Sequence, residues 1–344
     1  MKSTFDPDAA TPGPGIFGLP HAPDEADVVL VPVPWEATVS YGARTAQGPA
    51  AILRASSQLD LLDRETGRPF ERGIAMLPIP THIEEANATA RKLALPVVAA
   101  GSPEGDTALT EAASRVNKLC EEMNTWVQET AETWLARGKL VGVVGGDHSV
   151  PFGLIRALAD RHPGMGILHV DAHADLRNAY EGFVWSHASI MANVLEKIPS
   201  VERIVQVGVR DYSPQEDTFI RENPRIRTFF DADLKTRAQK GELWDAVLDE
   251  IVEALPPDVY LSFDIDGLDP TLCPHTGTPV PGGLSFPETT SLVRRVVESG
   301  RRIVGLDLSE VAPDPAGASE WDGNVGARLL YKMIGFALMT SKSD

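Results

Sequence analysis

Seven stretches of this chain are apolar over most of their length: 27–33, 139–144, 165–171, 202–209, 226–230, 258–264 and 302–308. Each has the length of a strand. Several segments between them carry apolar residues every three or four positions, the spacing of an amphipathic helix. Helices are therefore expected to open at Gly48-Pro-Ala-Ala-Ile52 and to cover 111–137, 151–161, 188–197, 241–254, 287–299 and 323–340. In the longest, Ala112, Val116, Leu119, Cys120, Met123 and Trp126 share a face, and Pro49 suits the first turn of the first. Near-continuous apolar strands alternating with helices predict an α/β fold: a parallel sheet covered on both faces. In such sheets function gathers at the carboxyl ends of the strands. Residues 1–26, with Thr11-Pro-Gly-Pro-Gly15, read as an irregular arm, and 27–344 as a single domain with no linker. Residues 62–105 contain several prolines and no clean period, so no element is assigned there.

The strand ends carry the candidate chemistry. Leu140-Val-Gly-Val-Val144 runs into Gly145-Gly-Asp-His-Ser149. Gly166-Ile-Leu-His-Val170 runs into Asp171-Ala-His-Ala-Asp175, and Val259-Tyr-Leu-Ser-Phe263 into Asp264-Ile-Asp266. Side chains two apart on extended chain point the same way. Asp171, His173 and Asp175 thus share one face, and Asp264 and Asp266 another. Clustered carboxylates with histidines repel one another unless a cation lies among them, and this mix of oxygen and imidazole suits a divalent transition metal. There are ligands enough for two ions, and paired ions are a device for producing a hydroxide nucleophile. Helix caps and Asx turns are the plainer explanation for Asp147, or for Asp269 before Pro270. They explain the other positions poorly.

Composition narrows the partners. The chain has 31 basic and 49 acidic residues, a formal charge of −18. Nucleic acid and anionic membranes are thereby disfavoured, because phosphate contacts need Lys and Arg. A cationic substrate is compatible with that charge, although acidity also serves solubility alone. Cys120 and Cys273 do not make a disulfide framework. No apolar run has a membrane span's length, and the first residues lack a signal peptide's apolar core. A cytoplasmic location is the expectation.

The three motifs Gly145-Gly-Asp-His-Ser149, Asp171-Ala-His-Ala-Asp175 and Ser262-Phe-Asp-Ile-Asp-Gly-Leu-Asp-Pro270 together resemble the signatures of the ureohydrolase family, which includes arginase and agmatinase. The resemblance spans roughly residues 27–340. It implies a three-layer α/β/α sandwich around a mainly parallel sheet of about eight strands, in trimers or hexamers. It also implies two divalent ions per chain, Ni²⁺ or Mn²⁺, and hydrolysis of a guanidinium to urea and an amine. By that resemblance His148, Asp171, Asp175 and Asp264 hold one ion, and Asp171, His173, Asp264 and Asp266 the other, with Asp171 and Asp264 bridging. Asp175 can also aim the attacking water. His187, in Trp185-Ser-His-Ala-Ser189, matches the position proposed to carry a proton to the leaving amine, a task within imidazole's range. Glu310 matches the carboxylate that pairs with the substrate guanidinium. Taken alone, His187 reads as a capping residue and Glu310 as a loop carboxylate. His169 reads as a satisfied core histidine, and His275 receives no role.

The substrate is read from departures from the family pattern. Ala188 follows His187 where arginases and agmatinases usually have Gly. No run of small polar residues suited to an amino-acid head group is visible, which disfavours arginine. The Trp35 segment and the Glu320–Tyr331 block look more like the branch of nickel-dependent guanidine hydrolases. Tyr180, Phe183 and Trp185 are expected to close a short pocket around a small planar cation. Free guanidine or a short alkylguanidine is the expectation, with agmatine or a guanidino acid as the alternative. Two readings lie outside this class. A deacetylase of the same fold would bind one metal ion rather than two, and a non-catalytic subunit of a mixed oligomer would show no activity alone.

Overall fold

The computed structural model describes residues 5–7 and 13–341. Its centre is a sheet of eight strands: β1 (Val28–Val33), β2 (Ile74–Met76), β3 (Leu140–Gly145), β4 (Gly166–Val170), β5 (Arg203–Val207), β6 (Ile226–Phe229), β7 (Asp258–Asp264) and β8 (Arg302–Ser309). They run in the order β2-β1-β3-β8-β7-β4-β5-β6, and every pair is parallel. The seven strands expected from the apolar runs are all present. The eighth, β2, is a three-residue edge strand inside the region left unassigned, too short to show a period.

Among the described residues ten α-helices cover the sheet: α1 (Gly48–Ser56), α2 (Thr81–Ala100), α3 (Thr107–Leu135), α4 (Phe152–Arg161), α5 (Ile190–Lys197), α6 (Pro214–Glu222), α7 (Asp231–Gln239), α8 (Trp244–Glu253), α9 (Phe286–Glu298) and α10 (Trp321–Thr340). Alternation along the strands sorts them into two layers. Leu168, Val170, Leu261, Phe263, Leu306 and Leu308 face one core with residues of α1, α7, α8, α9 and α10. Ile167, Tyr260, Val141 and Val143 face the other with residues of α2 to α6. The α/β/α sandwich expected from the sequence is therefore the observed fold.

Three helices escaped the sequence pattern. Helix α2 carries Pro96 within it, a residue that normally marks a boundary. Helices α6 and α7 each bury only two residues, Glu216 and Ile220 in one, Asp231 and Leu234 in the other, so their apolar stripe is faint. The signal that marks α6 is its capping box: the Ser213 hydroxyl accepts from the Glu216 amide and the Glu216 carboxylate from the Ser213 amide. Helix α3 begins a turn earlier than expected because the Asp106 side chain accepts from the amides of Ala108 and Leu109. Ile16, Phe17 and Leu19 in the N-terminal segment are buried against the α1 side of the core. Among the described residues no helix is long and apolar enough to cross a membrane.

Candidate metal centre and cleft

Four adjacent strands, β3, β8, β7 and β4, deliver the motif residues from their carboxyl ends. The turn after β3 brings in His148; β4 leads to Asp171, His173 and Asp175; β7 ends at Asp264 and leads to Asp266; β8 leads to Glu310. Motifs far apart in sequence meet because the strand order makes their strands neighbours.

The His148 Nδ1 edge faces three carboxylates: Asp171 Oδ2 at 3.0 Å, Asp175 Oδ2 at 3.1 Å and Asp264 Oδ2 at 3.5 Å. His173 Nδ1 lies 3.1 Å from Asp266 Oδ2 and 3.4 Å from Asp171 Oδ1. Two groups of donor atoms come within 4.8 Å of one another: His148, His169, Asp171 and Asp175, and Asp171, His173 and Asp266. Asp171 belongs to both groups, one oxygen toward each, as a bridging ligand would. All six expected ligands are thus brought together. His169 joins them, although the sequence reading left it in the core.

The electrostatics fit a cation. Burial, then the Asp171 charge, pushes the Asp175 carboxyl up to about 7. Burial, then Asp266 and Asp171, holds Asp264 well above the usual carboxylate range. Asp171 goes the other way: its burial is outweighed by His169, His148 and His173, and it sits well below the usual value. Burial lowers His173, but Asp266 and Asp171 prevail and push it up to about 12. So much buried like charge, with protons held to relieve it, suits divalent ions.

Backbone strain concentrates here. Asp175 has φ 55° and Glu310 has φ 64°, the left-handed region that side chains rarely adopt. At Asp175 the bend follows the β4 motif, and the Met191 and Ala192 amides at the start of α5 donate to the Asp175 carbonyl. At Glu310 the bend follows β8: its amide donates to the Gly146 carbonyl, and its Oε1 accepts from the His148 amide at 3.0 Å. Glu310 Oε2 is buried without a partner. A Cβ at Gly277 would lie 2.8 Å from that oxygen, so glycine is the residue that fits against the carboxylate there. Burial, then Asp147, holds the Glu310 carboxyl well above its usual range. A guanidinium is a suitable partner for such a group.

A cleft of about 300 Å³ opens above, lined by His173, Asp175, His187, Tyr180, Arg177 and Asp211 among others. His187 is half-buried in its wall. Burial, then the nearby His173 and His148, pushes its imidazole down to about 3, so it is neutral at ordinary pH. Its ring meets the Tyr180 ring edge-on at 6.2 Å. The other two expected aromatics are elsewhere. Phe183 is fully buried in the core on the α2–α6 side. Trp185 packs edge-on against Phe152 at 4.8 Å, with the Lys197 ammonium 5.5 Å from its ring. The Tyr180–Phe183 bridge turns the chain between them, so neighbours in sequence diverge in space. The aromatic closure expected from Tyr180, Phe183 and Trp185 reduces to Tyr180.

Sequence reasoning missed Arg210. Its guanidinium donates to the carbonyls of Gly208, Asp266, Leu268 and Val280, tying the Asp266 turn to the cleft rim. The signal was an Arg directly after a buried strand.

A parallel α/β sheet with a buried carboxylate–imidazole cluster at its carboxyl edge places the chain in the three-layer α/β/α class, with a candidate metal centre. The chain belongs to the arginase family, whose profile matches residues 26–335. It is 35% identical to an N(1)-aminopropylagmatine ureohydrolase of Thermus thermophilus over 93% of this chain and 94% of that protein. It is 28% identical to an agmatinase of Bacillus subtilis over 90% and 92%. The solved structure of proclavaminate amidinohydrolase from Streptomyces clavuligerus superposes with a TM-score of 0.72 at 22% identity, covering 98% of this chain and all of that one. The ureohydrolase resemblance read from the three motifs is borne out, and the chain is a hydrolase of guanidino carbon–nitrogen bonds.

Proposed function

We propose that this protein hydrolyses a small guanidino compound to urea and ammonia or an amine, using two divalent ions. The observation that carries the reading is the buried, unpartnered Glu310 carboxylate oxygen beside a cluster in which Asp171 faces two donor groups. His148, Asp171, Asp175 and Asp264 would hold one ion, and Asp171, His173, Asp264 and Asp266 the other. Ni²⁺ and Mn²⁺ both suit these donors. When bound, the pair supplies Lewis acidity toward water, which resonance-stabilised guanidinium requires of its attacker. Glu310 pairs with the guanidinium and orients its carbon toward the cluster. Asp175 accepts a hydrogen bond from the attacking water and aims it. Neutral His187 on the cleft wall takes up the proton released as water attacks and returns one to the leaving nitrogen, ending neutral again.

Within this class the proposed substrate is guanidine or a short alkylguanidine. Tyr180 on the cleft wall supports it, an aromatic face suited to a small planar cation, with the Arg177 guanidinium 4.8 Å from its ring centre and paired with Glu216 at 3.6 Å. An agmatine-like substrate is the second reading, favoured by the cleft's size and by Asp211 on its rim. Assembly as a trimer or hexamer and a cytoplasmic location belong to the same reading. The test is urea release from guanidine, methylguanidine, agmatine, 4-guanidinobutyrate and arginine by protein loaded separately with Ni²⁺ and Mn²⁺. Higher catalytic efficiency on guanidine than on agmatine supports the short substrate. The reverse order establishes the second reading, and no urea from any compound overturns both.

A further inference from the structure

One layer below the metal cluster, polar residues line up across the sheet where apolar ones are expected. The strand register pairs Thr228 on β6 with Gln206 on β5, Gln206 with His169 on β4, His169 with Ser262 on β7, and Ser262 with Asp307 on β8. Gln206, His169, Ser262 and Asp307 are wholly buried. A buried polar row of this kind is costly unless each group is satisfied, so its hydrogen bonds show what it does.

The bonds on the β4 side run in one direction. The Thr228 hydroxyl donates to Gln206 Oε1 at 2.8 Å. Gln206 Nε2 lies 2.7 Å from the Ala174 carbonyl, which can only accept, and 3.0 Å from His169 Nδ1. The Ala174 carbonyl fixes the amide's orientation, because turning it over would set oxygen against oxygen there, and the Thr228 hydroxyl, able to donate or accept, then donates to Oε1. His169 Nδ1 is therefore an acceptor, and the ring proton is on Nε2, 2.8 Å from Asp171 Oδ2. On the other side of the row His148 Nε2 meets Ser262 Oγ at 2.9 Å and Asp307 Oδ1 at 3.7 Å, leaving Nδ1 toward the cluster.

We propose that Thr228, Gln206 and His169 form a directed hydrogen-bond relay that positions Asp171, with His169 a neutral donor to that carboxylate and not a metal ligand. The proposal rests on the two-ion reading of the site. The relay begins on β6, two strands from the cluster, so it can be perturbed without touching a ligand. Partners that orient a metal ligand typically govern affinity by roughly 10–100-fold.

The test measures Mn²⁺ affinity by competition with a chelating indicator, and the visible absorption spectrum of the Co²⁺-loaded protein, on wild type and three variants. His169→Leu is expected to weaken Mn²⁺ binding by roughly 10–100-fold and to alter the Co²⁺ bands. His169→Gln keeps a donor at the Nε2 position and should recover most of the affinity with two ions per chain. Thr228→Val, nearly isosteric and remote, should weaken binding by roughly fivefold, the worth of one ordinary hydrogen bond. Wild-type affinity and spectrum in His169→Leu and Thr228→Val would overturn the relay. Loss of one ion in His169→Gln would make His169 a ligand and overturn it equally. A wild-type protein that takes up no metal would overturn the relay together with the two-ion reading, whereas two ions in the wild type with unaffected variants would overturn the relay alone.

Discussion

The charge crowding at the cluster should make the metal-free protein more stable when Asp175 is replaced by Asn. Asp175 is buried, and its carboxyl is raised to about 7 by burial and by Asp171. A group whose folded value lies above its unfolded value of 3.8 binds more protons folded than unfolded between the two. Stability therefore falls as pH rises through that window. Below about pH 4 the carboxyl is neutral in both states and costs nothing. Above about pH 7 the full penalty applies, on the order of 4 kcal/mol. Asparagine has nearly the same shape, carries no charge and tolerates the φ of 55° found here. Part of the gain is lost because His148, 3.1 Å away, gives up a carboxylate partner, leaving about 2–4 kcal/mol. A chain of 344 residues unfolds with an entropy of about 0.7 kcal/mol/K, so the variant should melt about 3–6 K above the wild type. The assay is thermal unfolding by circular dichroism after exhaustive chelation, at pH 4 and pH 8. The difference should be near zero at pH 4 and fully open at pH 8. Added Mn²⁺ should reverse the order, because only the wild type retains the ionised ligand. A gap of equal size at both pH values, or a variant less stable at pH 8, would refute the reasoning.

Other perturbations test separate parts of the structure. His187→Asn should lower kcat by about 10²–10⁴ with little change in KM, and added imidazole should restore part of the rate; an unchanged kcat would remove His187 from the proton path. Trp185→Ala should leave the ranking of guanidino substrates unaltered while costing about 3 kcal/mol in denaturant unfolding, since the ring packs on Phe152; a broadened substrate range would place it back in the pocket. Phe183→Ala should likewise cost about 3–5 kcal/mol as a core cavity. Arg210→Met should destabilise by about 2–4 kcal/mol, from several lost charge-assisted hydrogen bonds, and should weaken metal retention by freeing the Asp266 turn, measured as metal per chain after dialysis.

The parallel α/β layers, seven of eight strands and the clustering of the motif carboxylates and histidines were legible along the chain. The physical reason is that each rests on local information. Buried strands write themselves as apolar runs, and ligands follow a strand end at alternate positions. Elements with little to bury left little trace: β2 has three residues, α6 and α7 are polar outside two positions each, and Pro96 disguised α2. What lay beyond the sequence depended on which strands are neighbours. The order β3-β8-β7-β4 brings Glu310 behind His148. The register sets His169 between Gln206 and Ser262, which turned a core histidine into a partner of Asp171. The turn between Tyr180 and Phe183 sent one ring to the cleft and the other to the core. Local pattern specifies strand, helix and ligand chemistry; contacts across strands, and the side to which a loop residue turns, arise only when the whole sheet has assembled.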